Sequence, residues 1–100
     1  MPEDTKLVRR VLVEGYVQGV GYRYFVRREA LRFGVSGWVA NRADGSVEAL
    51  VAGPAADVER LLSEMRRGPY GAEVRSVTLA DPALEDEPTP AGFDIRPTDW

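Results

Sequence analysis

The chain has 100 residues, 44% of them hydrophobic, and a formal net charge of −3. That length supports one domain with a single two-layer core, and the apolar content is too high for disorder. Cysteine and histidine are both absent, which excludes disulfides, thiol chemistry, Cys/His and Ser/His nucleophiles and the usual zinc sites.

The first six residues, Met1-Pro2-Glu3-Asp4-Thr5-Lys6, lack the basic-then-apolar layout of a signal peptide. Residues 1–6 are expected to be a flexible tail, residues 7–97 the domain and residues 98–100 a C-terminal tail. No run is long enough to span a membrane, so the expected location is the cytoplasm.

Leu7–Glu14 is rich in Val and Leu and reads as a strand partly buried on both faces. The run Gly15-Tyr16-Val17-Gln18-Gly19-Val20-Gly21-Tyr22-Arg23 follows. Tyr22–Phe33 then places Tyr22, Val26, Ala30 and Phe33 near helical period, with Gly34 as a natural stop. Val35–Ala40 is β-like, and Asn41-Arg42-Ala43-Asp44-Gly45 carries an Asp-Gly turn signal. Ser46–Ala52 alternates, with Val47, Ala49 and Val51 on one face and Ser46, Glu48 and Leu50 on the other.

Gly53-Pro54 breaks that strand, and Ala55–Arg67 sets Val58, Leu61, Leu62 and Met65 on one helical face before Gly68-Pro69 ends it. Val74–Ala80 predicts a further strand. Asp81–Gly92, acidic and holding Pro82, Pro88 and Pro90, predicts an exposed loop, and Phe93–Arg96 predicts a short last strand. The order β-α-β-β-α-β, plus a final β, predicts an α+β fold. It is the ferredoxin-like (split βαβ) sandwich, with two helices on one face of a mainly antiparallel sheet.

Chemistry concentrates at two places. The glycine-rich run joins a strand to a helix, where glycines let backbone N–H groups approach a ligand and the helix N-terminus adds unpaired donors and a positive dipole end. Arg23, in the first helical turn, can grip a phosphate with two parallel bonds. The run is neither a Walker loop nor a dinucleotide fingerprint, since no Gly-Lys-Ser/Thr follows and the glycines read Gly-x-x-x-Gly-x-Gly. By itself it reads as a cradle for a small phosphorylated anion or as an ordinary strand-to-helix turn. The second place is Gly37-Trp38-Val39-Ala40-Asn41, with Gly45, Val47 and Gly53 downstream. Asn41 alone reads equally as a turn opener.

Charge distribution favours a small anion over a polymer. Residues 81–100 hold six acids and one base, a balance of −5, which leaves the first 80 residues at +2. A nucleic-acid partner is not expected from a chain that is negative overall.

Together the two runs resemble the signatures of the acylphosphatase family. Gly15 through Arg23 fills Gly-x-Val-Gln-Gly-Val-x-aromatic-Arg. Gly37, Trp38, Val39, Asn41, Gly45, Val47 and Gly53 fill the second pattern, with Gly53-Pro54 before the second helix and Phe93–Ile95 closing the domain. The similarity covers about residues 7–96; Ala40 stands where the family more often has a polar or basic residue. The resemblance implies an enzyme that hydrolyses the carboxyl-phosphate bond of acyl phosphates to carboxylate and inorganic phosphate, with no metal or organic cofactor. It implies that Arg23 and the amides of Gly15, Tyr16, Val17, Gln18, Gly19, Val20, Gly21 and Tyr22 bind the phosphoryl group, and that Asn41 orients the attacking water.

The expected partners are small-molecule acyl phosphates and inorganic phosphate, with no membrane, and a monomer is expected. Two alternatives remain: a non-catalytic module binding phosphate or carbamoyl phosphate, as occurs within larger proteins, and an RNA binder of RRM type. The presence of both Arg23 and Asn41 weighs against the first. The absence of the aromatic RRM run weighs against the second.

Overall fold

The computed structural model describes residues 5–81 and 92–99. The element order is β1 (Lys6–Tyr16), α1 (Tyr22–Phe33), β2 (Ser36–Arg42), β3 (Val47–Pro54), α2 (Ala55–Arg67), β4 (Glu73–Ala80) and β5 (Phe93–Asp99). Both helices have the limits that the periodicity predicts. α1 stops because Gly34 takes the left-handed conformation (φ 72°), which lets the N–H groups of Gly34 and Val35 return to the carbonyls of Leu31 and Ala30.

The five strands form one sheet in the order β4-β1-β3-β2-β5. β1 pairs antiparallel with β3 and β4, and β2 with β3, whereas β5 runs parallel to β2 at the edge. This is the two-helix, mainly antiparallel sandwich expected from the element order. The register sets the faces. Val11 lies opposite Ala49 and Val13 opposite Val47, and all four are fully buried. Phe25, Val26 and Ala30 of α1 and Val58, Leu61, Leu62 and Met65 of α2 pack with them in the core. A side chain such as Leu61, with no exposed surface, contributes about 2 kcal/mol from removal of apolar area from water.

The strand ends extend beyond the expected limits. Lys6 pairs with Pro54, and the Ala55 N–H donates to the Thr5 carbonyl at 2.9 Å, so both residues join the domain. β1 runs on through Gly15 and Tyr16, and β2 through Asn41 and Arg42, so Asn41 lies in a strand and the tight turn begins after it. β5 continues past Pro97 to Asp99. The other face of β3 is not solvated. Ser46, Glu48 and Leu50 are buried as well, because β3 is central and long side chains of its neighbours fold over it. Arg10 reaches Glu48 Oε2 at 2.5 Å, and Arg42 donates to Oε1 at 2.6 Å. The proline-bearing segment from Pro82 to Ala91 lies outside the described residues. Among those described, no helix is long and apolar enough to cross a membrane.

Candidate active site

Residues 17–21 link β1 to α1. Gly19 (φ 76°) and Gly21 (φ 77°) both occupy the left-handed region, which side chains disfavour. A Cβ at either would meet no atom within 4 Å, so backbone conformation rather than crowding requires glycine there. Gly21 is the N-cap of α1. No side chain caps that helix and no acid lies in its first turn, so the first-turn amides and the positive dipole end are left for an anion.

Gln18 turns away from this opening. Its Nε2 donates to the carbonyls of Arg42 (2.8 Å) and Ser46 (2.9 Å), which straps the loop to the β2–β3 hairpin. The hairpin turn is itself fixed by Asp44, whose Oδ1 accepts from the Ser46 hydroxyl (2.6 Å) and N–H (2.9 Å). These bonds, with Arg42 nearby, hold the Asp44 carboxyl below its usual range. Val17 is buried, Val20 packs against the core, and Tyr16 is exposed. Tyr22 is buried and its hydroxyl donates to the Met65 carbonyl at 2.8 Å; burial pushes its pKa well above the ordinary tyrosine value.

Asn41 pairs with Val47 in the β2–β3 register, which puts its side chain on the helix-covered face at the end of the strand nearest the loop. A cavity of about 160 Å³ is lined by Val17, Gly19, Gly21, Tyr22, Arg23, Tyr24 and Asn41. The Asn41 carboxamide oxygen is buried and has no hydrogen-bond partner among the described residues, an exposed need for a donor in an otherwise paired interior. Among the described residues Arg23 makes one bond, from Nη1 to the Arg96 carbonyl at 3.1 Å, and its other donors have no partner there. A larger hollow of about 400 Å³ on the helix-free face is lined by Arg10, Leu12, Arg42, Asp44, Glu48 and Thr78 among others, but Glu48 already takes both arginines. The smaller cavity is the one that brings Arg23 and Asn41 together.

Of the residues singled out by sequence, Val17, Gly19, Gly21, Tyr22, Arg23 and Asn41 line one cavity. Gly15 and Tyr16 do not; they belong to β1. Gly15 sits at a register shift against β4 (φ 135°), where a Cβ would stand 2.1 Å from the Glu73 carbonyl oxygen. Gly37 is similar: a Cβ there would be 1.8 Å from the Leu50 carbonyl oxygen. Arg96 as a partner of Arg23 was not foreseen, because a backbone carbonyl leaves no mark in sequence.

An α+β sandwich with an uncapped helix start, two left-handed glycines and a first-turn arginine defines a class of small proteins with a ready-made anion cradle. Comparison with known proteins places it more closely. The family model described as Acylphosphatase matches residues 9–95. An acylphosphatase of Azoarcus is 50% identical over 97 residues, covering 97% of this chain and 96% of the relative. The crystal structure of the Bacillus subtilis acylphosphatase superposes with a TM-score of 0.79 at 36% identity, over 89% of this chain and 97% of that one. The structure of an acylphosphatase from Coxiella burnetii gives a TM-score of 0.81 at 31% identity, over 96% of this chain and 100% of that one. The chain belongs to the acylphosphatase family, and its activity is the hydrolysis of acyl phosphates.

Proposed function

We propose that catalysis is carried by Arg23, the amides between Val17 and Tyr22, and Asn41, acting on an acyl phosphate held in the cradle. The single observation that carries this is the buried, unpartnered Asn41 oxygen lining one small cavity with Arg23 and the two left-handed glycines. Arg23 and the loop amides grip the non-bridging oxygens, where phosphoryl transfer concentrates charge. The Asn41 oxygen accepts one hydrogen of a water and aims its lone pair at phosphorus in line with the carboxylate leaving group. Water oxygen bonds to phosphorus, the phosphorus–carboxylate bond breaks, and the water proton passes to a phosphate oxygen.

The leaving group explains how a chain without histidine or cysteine performs this. A carboxylate, whose conjugate acid has a pKa of about 4, departs without a general acid. The alkoxide of a phosphate monoester requires a proton donor or a metal. The same site is therefore expected to spare simple esters. We read the protein as a cytoplasmic monomer working on small acyl phosphates rather than nucleic acid; the negative net charge supports that, and sedimentation at the mass of one 11.1 kDa chain is the expected result.

The test is hydrolysis of benzoyl phosphate in EDTA, with para-nitrophenyl phosphate as the control ester. Rapid loss of the acyl phosphate with the ester spared is expected. Activity abolished by EDTA and restored by a divalent cation would overturn the proposed mechanism.

A further inference from the structure

The Arg23 guanidinium is not left to find its own place. It donates to the Arg96 carbonyl, and one turn along α1, Arg27 donates through Nε to the Phe93 carbonyl at 3.0 Å. Two arginines of α1 thus clasp two carbonyls of the edge strand β5. The clasp at Arg96 sits where the pairing of that strand becomes irregular. The β2–β5 register runs regularly to Ala40 opposite Arg96, then skips, with Arg42 opposite Asp99. The strand therefore carries one extra residue where it passes Asn41. Pro97 lies in that bulge and has no N–H to give to the ladder. Beyond Arg96 the ladder cannot fix the carbonyl that Arg23 uses.

What precedes it can. Ala40 and Trp38 alternate with Val39, so Trp38 and Arg96 lie on the helix-free face of the sheet. There the Arg96 guanidinium carbon stands 4.3 Å from the centroid of the Trp38 ring, well inside the range of a cation–π contact. We propose that Arg96 is a positioning residue. Its side chain, stacked on Trp38 across the sheet, holds its own carbonyl where that carbonyl orients Arg23 toward the phosphoryl group. This rests on the role assigned to Arg23 above. A guanidinium anchored by one of its five donors keeps the remainder as a fork and loses less rotational freedom on binding phosphate.

The test uses the full chain with Arg96→Ala, Arg96→Lys and Trp38→Phe. Inorganic phosphate affinity is measured by calorimetry on folded protein, and kcat and KM are measured with benzoyl phosphate. Arg96→Ala is expected to weaken phosphate binding roughly three- to tenfold, the scale of one lost cation–π contact, with a matching rise in KM. Arg96→Lys and Trp38→Phe, which keep a cation over an aromatic face, are expected to recover most of it. A purely structural role would instead lower Tm without changing the phosphate affinity of the folded fraction. Arg96→Ala protein that binds phosphate as the unsubstituted protein does, or Arg96→Lys as weak as Arg96→Ala, overturns the inference. A chain that binds phosphate but does not turn over benzoyl phosphate would overturn the hydrolytic mechanism alone, because the phosphate titration still decides what Arg96 does.

Discussion

In the mechanism we propose, Arg23 and Asn41 divide the chemistry by what each side chain can offer. A guanidinium brings charge and a rigid fork, so it is the side chain suited to act on the phosphoryl oxygens in the ground state and in the transition state. Arg23→Ala is expected to weaken phosphate inhibition at least tenfold and to lower kcat/KM by about 10²–10³. Arg23→Lys is expected to recover little, since a point charge replaces the fork; phosphate inhibition constants decide both. The Asn41 amide carries no charge and is poorly suited to holding phosphate. Its buried oxygen suits a water. Asn41→Ala should leave phosphate inhibition within about threefold and reduce kcat roughly 10²-fold, a loss confined to the chemical step. A variant with weak phosphate binding and intact kcat would reverse the assignment.

The loop and the hairpin come from separate elements and must be held in register for those two side chains to meet. Gln18 does this with two bonds to carbonyls 24 and 28 residues away. Gln18→Ala is expected to cost about 1–2 kcal/mol of stability in urea unfolding and to weaken phosphate binding several-fold, because the cradle is no longer strapped to the strand that carries Asn41. A change in stability with phosphate affinity intact would make Gln18 a packing residue only. The glycines of the two signature runs also separate at this scale. Gly19 and Gly21 have open space around them and line the cavity, whereas Gly15 and Gly37 are closed off by facing carbonyls and serve strand contact. A signature pattern read as one functional motif is thus part cavity lining and part sheet geometry.

Across the whole molecule, the helix that starts the site is anchored to the helix that ends farthest from it in sequence. Tyr22, at the first position of α1, donates to the Met65 carbonyl in the last turn of α2, satisfying one of the acceptors that a helix end leaves over. Burial raises the pKa of this phenol, so in the folded chain it stays neutral after an unfolded chain would have ionised. Its contribution to stability is therefore complete below the ordinary tyrosine pKa of about 10 and is lost as pH rises above it. Tyr22→Phe should cost about 1 kcal/mol at neutral pH and flatten the alkaline fall in stability. Denaturant titrations at pH 8 and above pH 10 check this. An alkaline limb unchanged by the substitution would assign the fall to other groups.

Periodicity alone fixed the two helices to the residue, because a 3.6-residue pattern ended by glycine has no competing local solution. It also specified the strand order in sequence, and the two signature runs named the residues lining the cavity except Tyr24. The limits of the strands were less legible: β1, β2, β5 and β3, which runs on through Gly53-Pro54, each extend past their predicted ends, since pairing partners rather than local propensity decide where a strand stops. Alternation in Ser46–Ala52 suggested two distinct faces, yet both are buried. No local pattern reveals that β3 sits at the centre of the sheet with Arg10 and Arg42 closing over Glu48. What the amino-acid sequence determined by itself was the elements and the chemical inventory: an always-charged fork, a neutral amide, glycines free to turn, and no acid–base side chain of the histidine or cysteine kind. What only the tertiary structure decided was which of these meet. The Gln18 strap, the Asn41 oxygen left without a partner, and the Arg96 carbonyl behind Arg23 are contacts between distant segments. Sheet register and backbone direction create them, and neither is encoded at any single position.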